Sequence, residues 1–152
     1  MTSAAPPTGF LHLVVGYDGS PPAIRALDGA VRLLQGRIGR IAVVYVAYLS
    51  SVAMLSPGAI TEIEKGFDEI EQELRTQAAE RLRASGAAWE FERRQGIIAD
   101  ELIAAATAFG EAHPAETVAI IVGSSSHASH RVVGSAAVGL ARHSPVPLII
   151  VP

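Results

Sequence analysis

The chain has 152 residues, 49% hydrophobic and 18% charged, with a formal net charge of −3 and no cysteine. That length suits one domain with a proper core, and the composition excludes a disordered chain. The charge gives no electrostatic reason to expect nucleic acid or an anionic membrane as partner, and the absence of thiols excludes disulfides and sulfur-ligated zinc.

Residues 1–9, "MTSAAPPTG", lack a basic segment followed by an apolar one and read as a flexible lead rather than a signal peptide. "FLHLVVGY" (10–17) is an apolar strand ending in the turn-forming "DGSPP". Ser20 caps the next helix with Pro21 at its first position, and Ile24, Leu27, Val31 and Leu34 recur at spacings of three and four. Gly36 and Gly39 end it before a second buried strand, "RIAVVYVAY" (40–48). The loop "SSVAMLSPG" leads into the longest helical pattern, residues 60–84, whose stripe of Ile60, Ile63, Phe67, Ile70 and Leu74 is expected in the core. Its acids gather early and its arginines late, as a helix dipole favours. "AAWEFERR" (87–94) alternates as a strand does, and Ile98, Leu102, Ala105 and Phe109 mark another helix. "TVAIIV" (117–122) is a fourth strand, residues 135–143 a short helix, and "PLIIV" (147–151) a last strand.

Strands and helices thus alternate through residues 10–152, which implies a single α/β domain: a parallel sheet, doubly wound, with helices on both faces. No apolar run approaches the length of a membrane span, and a cytoplasmic location is expected. In such folds ligands bind at the carboxyl ends of the strands, near the point where strand order reverses. The segment "VGSSSHASHRVVGS" (122–135) therefore draws attention, as a Gly/Ser loop between a strand and a helix. A phosphate-binding P-loop is excluded, because the only lysine, Lys65, sits inside a helix. No G-x-G-x-x-G occurs, and His127 stands where a nucleophile elbow around Ser125 needs glycine.

Three segments, "LVVGYDGSPPAIRALDGAV", "IAVVYVAY" and "IIVGSSSHASHRVVGSAAVGLARHSPVPLIIVP", together resemble the beginning, middle and end of a universal stress protein domain. The resemblance spans Phe10 to Pro152 and implies an open five-stranded sheet of order 3-2-1-4-5, a homodimer and, in one branch, binding of ATP or AMP. That branch carries glycine, two residues, glycine, nine residues, then Gly-Ser or Gly-Thr. Here the first glycine is Gly123 and the closing pair is Gly134-Ser135, but the second glycine is replaced by Ser126 and only seven residues follow it. By the same resemblance Asp18 lies near the adenine or ribose, and the backbone of Val46 meets the adenine edge.

Glycine in a phosphate loop permits positive φ and close approach of backbone N–H groups; Ser126 disfavours that conformation while offering a hydroxyl. The helix opening near Ser135 supplies unpaired N–H groups, and Arg131 offers charge that the missing lysine does not. Each residue also has a plainer role: Asp18 in a turn, Gly134 and Ser135 at a helix start, Arg131 at the surface. His127 and His130 have no acidic partner in their loop, so no metal site is expected there, and magnesium is expected only alongside ATP. Three functions compete: a dimeric nucleotide-responsive stress module, a protein of the same fold acting through protein interaction without nucleotide, and a nucleotide hydrolase. The hydrolase ranks last, since no general base or carboxylate pair stands beside the loop. The dimer is expected through the final strand, where Leu148, Ile149, Ile150 and Val151 form an apolar sheet edge.

Overall fold

The computed structural model describes residues 9–48, 57–124 and 134–152. Strand β1 (Leu11–Gly16) is followed by α1 (Pro21–Leu34), β2 (Gly39–Ala47), α2 (Pro57–Leu82), β3 (Ala88–Gln95), α3 (Ile98–Ala112), β4 (Thr117–Gly123), α4 (Ser135–His143) and β5 (Leu148–Val151). All strand pairs are parallel and the order is β3-β2-β1-β4-β5, as the resemblance implied. The chain leaves β1 toward β2 on one side and returns to it through β4 on the other. A crevice must therefore open between the carboxyl ends of β1 and β4.

Alternation along the strands divides the core in two. Leu13, Val15, Ile41, Val43, Ala119 and Ile121 face α1 and α2, while Val14, Ala42, Val44, Val118, Ile120 and Val122 face α3 and α4. The central strands β1 and β4 are covered on both faces, which is why they read as continuous apolar runs. Strand β5 begins at Leu148 rather than Pro147; the proline has no N–H to give the ladder, though its carbonyl accepts from Ile120 N at 2.9 Å.

One expectation about the core is corrected. Among the described residues of α2 only Leu74, Ala78 and Leu82 are buried; Ile60, Ile63 and Phe67 are half-buried and Ile70 is 42% exposed. Length accounts for part of this: a helix of 26 residues runs about 39 Å, whereas the nine-residue β2 beneath it runs about 30 Å, so the opening turns of α2 overshoot the sheet.

Candidate functional site

The crevice at the switch point is a cavity of about 230 Å³. Asp18, Val46, Gly123, Gly134 and Ser135 all line it, brought from the ends of β1, β2 and β4 and the start of α4. Five of the seven residues singled out in the sequence thus meet at one place. The other two, Ser126 and Arg131, lie outside the described residues, as do His127 and His130. The rest of the wall is largely apolar, with Val44, Leu102, Val122 and Ala137 prominent. Flat aromatic ligands with a polar tail suit such a wall.

Local chemistry fixes each contributor. After β1 the chain turns through Gly19 at φ +75°, a conformation that favours glycine. Asp18 Oδ1 accepts from Ser20 N at 3.0 Å, so one carboxylate oxygen holds this turn together. Gly123 is required by packing: a Cβ there would stand 2.0 Å from the Pro22 carbonyl oxygen, so β4 can end against α1 only without a side chain. Arg25 then anchors the junction, donating from Nη2 to Ser124 O at 3.2 Å and from Nε to Pro152 O at 3.0 Å. Tyr17, buried beside the cavity, donates to Gln77 Oε1 at 3.5 Å, and burial pushes its phenol above the usual tyrosine range.

Three helices start around the cavity, and they differ as anion sites. At α1, Pro21 and Pro22 carry no N–H, Ser20 Oγ accepts from Ala23 N, and Ser20 O accepts from Ile24 N. At α3, Asp100 and Glu101 occupy the first turn and oppose an anion. At α4, Gly134 is the N-cap with no side-chain hydrogen bond, and no acid stands in the first turn. Among the described residues, the amides that open α4 are therefore the ones left for a negatively charged group. Among the described residues Asp18 is the single carboxylate lining the cavity.

Sequence reasoning missed a second polar cluster, at the opposite end of the sheet, where His12, His113 and Glu116 converge. A histidine inside the apolar run "FLHLVV" was the available signal.

A profile of the universal stress protein family matches residues 9–152. No curated protein sequence matches significantly. Among solved structures, universal stress protein UspA from Lactobacillus plantarum is 22% identical with a TM-score of 0.74, over 98% of this chain and all (100%) of that one. A universal stress protein in complex with cAMP is 22% identical with a TM-score of 0.62, over 95% of this chain and 99% of that one. A universal stress protein family protein from Arabidopsis thaliana with AMP bound is 11% identical with a TM-score of 0.61, over 93% of this chain and 90% of that one. At these identities the likeness establishes the fold.

Proposed function

Because the chain belongs to the universal stress protein family, we propose that it is a dimeric stress-response module whose switch-point cavity binds an adenine nucleotide, ATP or AMP, as a regulatory ligand. The observation that carries this reading is the start of α4: an N-terminus that, among the described residues, has no side-chain cap or acid, opening into a largely apolar cavity that Asp18 and Val46 also line. The base rests on the apolar wall near Val46, Asp18 meets the ribose, and the phosphate meets the amides after Gly134. The cAMP and AMP held by two proteins of the same fold support the choice of ligand class. Magnesium accompanies ATP only. The ligand regulates rather than reacts, since one carboxylate already engaged in a turn is poor provision for general-base chemistry.

The homodimer forms through β5. Its outer edge pairs with no other strand of the sheet, Ile150 is 36% exposed, and Val138 on α4, which packs on the same face, is exposed as well. An apolar sheet edge of this kind favours pairing with a second copy.

Thermal unfolding tests the nucleotide reading. At a hundred times Kd a ligand bound only to the native state adds about 2.7 kcal/mol, or roughly 5–10 °C for a chain of this size. ATP with magnesium, or AMP, is expected to raise the melting temperature by that amount. No shift with millimolar ATP, ADP or AMP would retire this reading in favour of a nucleotide-free interaction protein.

A further inference from the structure

Among the described residues of the core, His12 is the buried polar side chain, 3% exposed. It stands on β1 on the sheet face covered by α3, its ring 4.9 Å from that of Phe10 and 4.4 Å from that of Phe109. Its Nε2 meets Glu116 Oε2, while its Nδ1 is buried with no hydrogen-bond partner. His113, the residue that ends α3, stacks on His12 at 5.3 Å, and its Nδ1 lies 3.8 Å from the same Glu116 oxygen. One donor atom from each of the three residues falls within 4.8 Å of the other two.

The backbone holds this arrangement. Glu116 N donates to His113 O at 3.0 Å, closing a four-residue turn around Pro114, and Thr117 N donates to Phe10 O at 3.0 Å, fixing that turn beside β1. A histidine–glutamate hydrogen bond alone explains one imidazole. It leaves unexplained the second imidazole drawn toward the same oxygen. It also leaves unexplained why an imidazole, rather than an apolar side chain, occupies this core position.

We propose that His12, His113 and Glu116 form a binding site for a divalent transition-metal cation of the zinc class. Two imidazoles and one carboxylate are a donor set for zinc with a water in the fourth position, and bonds of about 2.0–2.2 Å separate the ligand atoms of a tetrahedral site by about 3.3–3.6 Å. The donor atoms of the three residues already lie within 4.8 Å of one another, near that spacing. Imidazole donors prefer zinc, cobalt, nickel or copper to magnesium or calcium. The carboxyl end of α3 turns its negative dipole end toward the site, and the partly exposed His113 and Glu116 leave a path for the ion and its water. Phe10 and Phe109 supply an apolar shell around His12. The site lies at the amino end of β1 and the cavity at its carboxyl end, so it stands independently of the nucleotide reading.

The test is a titration of the full metal-stripped chain with Zn2+ by calorimetry and with Co2+ by visible absorption. The expected result is one Zn2+ per chain, a higher melting temperature, and the intense d–d bands of low-coordinate Co2+. His113→Ala, on a partly exposed residue, and Glu116→Gln should each weaken binding by roughly tenfold or more, since even outer-shell changes have effects of that size. The double variant His127→Ala/His130→Ala should bind as the wild type does. Absence of saturable binding overturns the proposal. So does binding that survives both His113→Ala and Glu116→Gln, or binding lost with the loop histidines.

Discussion

An added Cβ at Gly123 would press on the backbone of Pro22, a hundred positions earlier in the chain. The family resemblance led to the expectation of a phosphate-loop role for this glycine, yet packing demands it whether or not a ligand is present. The sequence exposed the residue but not that contact, because nothing local links β4 to the start of α1. Asp18 has the same double character: the turn that uses its Oδ1 was legible in "DGSPP", while its place at the cavity was expected only from the family resemblance and depends on where β1 ends beside β4. Tyr17 yields a prediction at this scale. Burial raises its phenol above the ordinary value, and that of Tyr45 likewise, so the folded chain favours the neutral form. The associated stability is fully present below about pH 10 and is lost as pH rises past that value, because the unfolded chain ionises first. Urea midpoints are expected to hold steady to about pH 9 and fall above it, and Tyr17→Phe should make that fall shallower. An alkaline profile unchanged in the variant would remove Tyr17 from the account.

The elements themselves were legible: all nine appear in the predicted order, with ends displaced by a few residues. Helix α2 marks the limit. Its period of 3.6 was evident, but how much of a long helix meets the sheet depends on the length of strands elsewhere. Leu74→Ala is accordingly expected to cost about 2–5 kcal/mol, and Ile70→Ala to stay within about 0.5 kcal/mol. Equal costs in chemical denaturation would mean that the first half of α2 is buried after all. At β5, the exposure of Ile150 locates the proposed dimer contact on the face that α4 covers. Light scattering should find twice the 15.9 kDa chain mass for the wild type and a monomer for Ile150→Lys. A wild-type monomer at micromolar concentration, or a dimer untouched by the lysine, would place the contact elsewhere or abolish it.

Across the whole molecule, the sheet carries different chemistry at its two ends. The carboxyl ends of β1, β2 and β4 meet the start of α4 in a largely apolar cavity, and the amino end of β1 meets the close of α3 in a cluster of nitrogen and oxygen donors. The first was legible because the strand–loop–helix pattern marks it locally and the family resemblance named its residues. The second was not, since His12 and Glu116 lie 104 positions apart and only the pairing of β1 with β4 unites them. No helix among the described residues is long and apolar enough to cross a membrane. The central claim is that the amides opening α4 hold a nucleotide phosphate. Titration calorimetry of AMP, and of ATP with magnesium, into the wild type and Gly134→Val tests it most directly. One saturable site per chain is predicted for the wild type. In the variant, a branched side chain at the mouth of α4 should weaken affinity by roughly tenfold or more, the equivalent of one charge-assisted hydrogen bond at about 1.5–3 kcal/mol. No saturable heat with either nucleotide, or equal affinity in both chains, would contradict it.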